Sequence, residues 1–87
     1  MSACLTVLSR NWCHLCDDMI DELLALAVSA DVRVEIEDVD ASETLEQRWG
    51  EYVPVLLDAS GHELCHYHLD TREVRAYLAG FPLESAD

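Results

Sequence analysis

Cys13 and Cys16 enclose only His14 and Leu15, and that spacing is what brings covalent chemistry to this chain. Two thiols one helical turn apart can close a disulfide and reopen it. A thiolate attacks a disulfide sulfur, a mixed disulfide forms, and the second thiol resolves it. At a helix N-terminus the unpaired amide groups favour the thiolate and draw the first cysteine below the ordinary thiol range of about 8.5. Cys13 is then the nucleophile and Cys16 the resolving thiol. The alternative for such a pair is half of a zinc site, and structural zinc takes four ligands. The only other candidates are Cys65, His66 and His68, and a strand through them would turn Cys65 and His66 to opposite faces. No metal is expected. Cys4 and Cys65 read as small buried hydrophobes, the common state of a free cysteine.

The elements around the pair follow from hydrophobic period. Residues 4–9 form a short apolar run suited to a buried strand, broken at Arg10-Asn11-Trp12. Cys16, Met19, Ile20, Leu23, Leu24 and Ala27 then fall on one helical stripe, with Asp17, Asp18, Asp21 and Glu22 opposite. This helix carries Cys16 on its core side and Cys13 at its entrance. In residues 32–39, Val32, Val34 and Ile36 alternate with Arg33, Glu35 and Glu37, a second strand near a sheet edge with one wetter face. Asp40 followed by Glu43 predicts a capped short helix that carries Leu45 and Trp49 on its apolar side and ends near Gly50. Residues 54–57, a turn at 58–61 and residues 63–68 predict a hairpin. Asp70-Thr71-Arg72-Glu73 caps a third helix through Val74, Tyr77 and Leu78, stopped at Gly80 and Pro82. Residues 83–87 are expected to fray. The predicted order is βαβαββα, an α/β fold.

Composition limits what this fold can serve. With 87 residues, 51% of them hydrophobic, the chain forms one domain, 1–87. Eighteen acidic residues against five basic ones, all of them Arg, give a formal charge of -13. Nucleic acid, bound through clustered Lys and Arg, is an unsuited partner, and an anionic membrane would repel the chain. The bland reading of this charge is a solvated acidic face; the functional one is docking to a basic partner. No apolar run approaches the roughly 18 residues of a membrane span, and the N-terminus lacks a basic leader, so a cytoplasmic monomer is expected. There, four cysteines imply reduced or redox-active thiols rather than a disulfide framework.

Tyr52-Val53-Pro54 opens the third strand with a proline, tolerated at a strand start; a cis bond there would make a tight corner. Together with the Cys-x-x-Cys at a strand-to-helix junction and the element order, it makes the chain resemble a glutaredoxin of the thioredoxin superfamily. The likeness runs from Ala3 to about Gly80. More narrowly, the chain is similar to short bacterial glutaredoxin-like proteins of poorly defined function. The resemblance implies a thioredoxin-like fold with a four-stranded mixed sheet in the order 4-3-1-2, strand three antiparallel and helices on both faces. It also implies a cis Pro54 facing the Cys13 sulfur, and a Val53 backbone that pairs with the substrate's peptide portion. The activity implied is reduction of protein or glutathione mixed disulfides, with no tightly bound cofactor and with glutathione as co-substrate. The partner is then a thiol- or disulfide-containing protein.

The departures from the family pattern bear on specificity. His14-Leu15 stands where Pro-Tyr is usual; a protonated His14 would favour the Cys13 thiolate, and otherwise His14 is an exposed loop residue. Asp17 and Asp18 oppose the thiolate. Tyr52 replaces a threonine, either stacking on substrate or packing as a half-buried aromatic. Trp12 either covers the dithiol or anchors its loop. The family's Gly-Gly-Asp segment, which holds a glutathione carboxylate, is His66-Tyr67-His68-Leu69-Asp70-Thr71 here. The amides of Asp70 and Thr71 are left as carboxylate donors, without the close approach glycines allow. Arg10 matches a basic residue upstream of the first cysteine and Arg48 could reach a second carboxylate; each has the alternative of pairing with nearby acids. Two function classes follow: a dithiol oxidoreductase, or a non-catalytic acidic binding module or redox sensor. A Cys13 thiolate at neutral pH would distinguish the first.

Overall fold

The computed structural model describes residues 3–27 and 32–80. Strand β1 (Ala3–Ser9) leads into helix α1 (His14–Ala27). Strand β2 (Val32–Asp38) is followed by a single 3-10 turn, Val39–Ala41, and helix α2 (Glu43–Trp49). Strands β3 (Val55–Leu57) and β4 (Glu63–His66) form the hairpin, and helix α3 (Thr71–Ala79) ends the described chain. The sheet order is β2-β1-β3-β4, the expected order read from the other edge. β1 runs parallel to β2 and antiparallel to β3, and β3 antiparallel to β4. The expected frayed tail at 83–87 lies outside the described residues.

Burial shows why β1 is central. Ala3, Leu5 and Val7 are buried on one face, yet Leu8 is buried too, as befits a strand covered on both sides. Leu5, Val7 and Leu56 meet Met19 and Leu23 of α1 and Val74 of α3 in one apolar cluster. Burying each such side chain contributes roughly 1.5–3 kcal/mol. Leu8 and its cross-strand partner Val55 face the other way, where the 3-10 turn brings Val39 to full burial. The α1 stripe is anchored by Cys16, Met19 and Leu23, while Leu24, at its margin, is 46% exposed.

Several local expectations are corrected by tertiary contacts. Asp40 does not cap the second helix, because its carboxylate is taken by Arg10. Asp38 instead accepts the Asp40 amide (2.9 Å) and Ser42 Oγ accepts the Leu45 amide (3.3 Å), so the helix starts at Glu43. Trp49 is half-buried rather than core, and Arg48 lies over its ring at 4.9 Å. Ile36 is 51% exposed, since β2 is an edge strand with β1 as its sheet neighbour. β4 stops at His66 rather than at residue 68, because Tyr67 turns to φ +66°. At the hairpin, Gly61 adopts φ +86°, where a side chain would be strained.

Candidate active site

Helix α1 opens on the dithiol. Cys13 precedes the first helical residue, its carbonyl accepts the Asp17 amide (3.1 Å), and its sulfur accepts the Cys16 amide (3.1 Å). This is how a serine or aspartate caps a helix, with sulfur in the oxygen's place. Cys13 and Cys16 are joined as a disulfide with their Cα atoms 5.2 Å apart. The two sulfurs differ in access: Cys13 is half-buried, whereas Cys16 is 1% exposed among the core residues of α1. Cys13 is therefore the more accessible of the two sulfurs. His14 and Asp17 are exposed on the first turn.

Trp12 directly precedes the pair with φ +63°, a conformation rare for a bulky side chain. Its side chain is fully exposed, so it neither roofs the sulfurs nor anchors the loop.

The Val53–Pro54 peptide bond is cis, and Pro54 is fully buried. Val53 makes no hydrogen bond with its amide or carbonyl among the described residues. Tyr67, which sequence reasoning passed over, clamps this segment. Its amide donates to the Pro54 carbonyl (2.8 Å) and its hydroxyl to the Glu51 carbonyl (3.1 Å). The His66 ring lies edge-on to both Tyr67 (4.7 Å) and Tyr52 (5.6 Å) and pairs with Glu63. Tyr52 is 43% exposed on the rim of this cluster. No sequence signal marks tyrosine for a left-handed backbone; only the chain's path from β4 to α3 demands it.

Of the residues proposed to hold anions, Arg10 and Asp70 are otherwise engaged. The Arg10 guanidinium binds Asp40 (3.1 Å), Glu46 (3.1 Å) and the Gly50 carbonyl (3.4 Å), and the carboxylates of Asp40 and Glu46 raise its pKa further. It ties the end of β1 to the 3-10 turn and α2. The Asp70 side chain caps α3 by accepting the Glu73 amide (3.1 Å), and its own amide points at the Cys65 sulfur (3.4 Å). Thr71 is the exposed first residue of α3. Cys4 and Cys65 are half-buried free thiols, and burial pushes the Cys65 thiol up from its ordinary 9.0. Among the described residues no group of three or more His, Cys, Asp or Glu is placed to hold a metal ion, and no helix is long and apolar enough to cross a membrane.

Known proteins share this fold. The family model described as a glutaredoxin-like domain (DUF836) matches residues 4–79. A protein of Nitrosomonas europaea, solved by NMR in solution, is 38% identical, with a TM-score of 0.80 over 87% of this chain and 91% of its own. A protein of X. campestris is 37% identical in its X-ray structure, with a TM-score of 0.62 over 90% of this chain and 99% of its own. A solution structure from X. campestris gives 35% identity and a TM-score of 0.67, over 90% and 95% of the two chains. Comparison with curated proteins gives no match.

Proposed function

The chain belongs to the glutaredoxin-like domain family, and from that premise we propose that it is a dithiol oxidoreductase acting on polypeptide disulfides. The observation that carries this reading is the half-buried Cys13 sulfur at the start of α1, receiving the Cys16 amide with Cys16 buried beside it. An amide directed at sulfur stabilises negative charge there, and the helix dipole adds to it.

The reaction runs in two exchanges. The Cys13 thiolate attacks one sulfur of the substrate disulfide, forming a Cys13–substrate bond and expelling the other sulfur as a thiolate that takes up a proton. Cys16 then loses its proton and attacks the Cys13 sulfur. The internal disulfide forms and the second substrate thiol leaves. Two electrons have passed to the substrate, and a thiol or dithiol reductant returns the pair to its reduced form. The unpaired Val53 amide and carbonyl support pairing with an extended substrate strand.

Glutathione is the less favoured substrate. Arg10 is committed to Asp40 and Glu46, and the Asp70 carboxylate already fills the N-terminus of α3. Its charge opposes a second carboxylate there.

The test is reduced Cys16→Ser protein mixed with a disulfide-bonded peptide or with oxidised glutathione, then weighed intact. A one-to-one adduct that vanishes in Cys13→Ser is expected with the peptide, and a slower adduct with glutathione. No adduct with either would overturn the reading and leave a binding module or sensor.

A further inference from the structure

A cleft of about 210 Å³ runs between α1 and the segment joining β4 to α3. Leu15, Asp18, Asp21 and Glu22 line one side, Tyr67 and His68 the other. Resting on the oxidoreductase reading above, we propose that this cleft seats a lysine or arginine side chain of the polypeptide whose disulfide Cys13 attacks.

Position is the first argument. Leu15, on the turn that carries the dithiol, and Asp18 and Glu22 at i+3 and i+7 form one helical stripe of about 10 Å along the cleft wall. The other wall is joined to the substrate edge, because Tyr67 donates to the Pro54 carbonyl. A polypeptide lying along Val53 with its cysteine at Cys13 has neighbouring side chains within reach of the opening.

Charge is the second. Asp18, Asp21 and Glu22 enter no ion pair or side-chain hydrogen bond among the described residues. Asp18 and Glu22, four apart on one helix, repel each other, and a cation between them relieves that repulsion. The chain's formal charge of -13 favours the same sign of ligand at longer range.

The remaining chemistry suits a long basic side chain better than a bare cation. Leu15 is 38% exposed and Tyr67 41% exposed, so the mouth offers apolar surface for an aliphatic stem and a ring face for the charged head. Trp12, fully exposed before Cys13, widens the apolar surface available to the rest of the peptide.

The experiment compares two peptides that differ only in Lys or Glu two residues from a cysteine activated as its thionitrobenzoate mixed disulfide. Reduced Cys16→Ser protein forms the Cys13–peptide disulfide and releases thionitrobenzoate, whose absorbance is followed. The Lys peptide is expected to react about tenfold faster or more at low salt, the ratio shrinking as salt rises. Adding Asp18→Asn, Asp21→Asn and Glu22→Gln should bring the ratio close to one, while Glu35→Gln, Glu37→Gln and Glu43→Gln, an equal change of charge away from the cleft, should leave most of it. Iodoacetamide alkylation of Cys13 in each variant checks that the fold is intact. Equal rates for the two peptides, or equal loss in both variants, would overturn the cleft as a basic-residue site while Cys13 chemistry stands. Release from neither peptide would overturn the oxidoreductase reading itself.

Discussion

The Cys16 amide donates to the Cys13 sulfur at 3.1 Å, the same i to i+3 contact that Ser42 and Asp70 make at the starts of α2 and α3. In those two helices the acceptor is oxygen and serves stability. In α1 it is sulfur, and under the proposed function the bond that starts the helix would also stabilise a Cys13 thiolate.

Reduced Cys13 is therefore expected to react with iodoacetamide below the pH range of a free thiol, and faster at neutral pH than a small thiol with an ordinary pKa. The rate against pH is measured in Cys16→Ser, with Cys13→Ser as blank. An inflection at or above about 8.5 would mean that the amide and dipole do not outweigh Asp17 and Asp18.

Trp12 exposes its whole side chain and holds φ +63°. Trp12→Gly removes a conformational cost of about 1–2 kcal/mol and no buried contact, so the midpoint of denaturant unfolding should rise. Reduction of a protein disulfide should slow, because apolar surface beside Cys13 is lost, with little change in iodoacetamide alkylation. A midpoint that falls would show that Trp12 makes contacts in solution that this backbone does not explain.

Under the proposed function Tyr67 is a positioning residue for the substrate edge, through its bonds to the Pro54 and Glu51 carbonyls. Tyr67→Phe keeps the ring against His66 and loses only the bond to the Glu51 carbonyl, at about 0.5–1.5 kcal/mol. KM for a peptide disulfide is expected to rise more than kcat falls, with alkylation of Cys13 unchanged. A drop in kcat alone, at constant KM, would argue against a positioning role.

The surroundings of Cys65 shift its thiol upward. Burial raises its pKa in the folded chain above the ordinary 9.0, so the folded state holds this proton more tightly than the unfolded one. The contribution is intact below that ordinary value and is lost as pH rises through the folded pKa. Native Cys65 should resist alkylation at neutral pH, and the unfolding midpoint should fall less steeply in alkali for Cys65→Ala than for the parent. Matching alkaline slopes would remove the effect.

What was legible in the sequence was what neighbours within a turn or a strand decide. The Cys16, Met19 and Leu23 stripe, the Asp70 cap and the place of Cys13 at the head of α1 depend on residues three or four apart, so period and residue type suffice. The family likeness supplied the sheet order, which no local pattern contains. Where two local candidates competed, local pattern chose the wrong one: Asp40 with Glu43 reads as the cap, but Ser42 serves because Arg10, 30 residues upstream, claims Asp40. Tertiary structure alone turned Tyr67 into a left-handed clamp on Pro54, committed Arg10 to structure, and set Asp18 and Glu22 across from Tyr67. Each of these joins segments far apart in the chain, and such contacts exist only once the sheet has closed and the helices have packed on it.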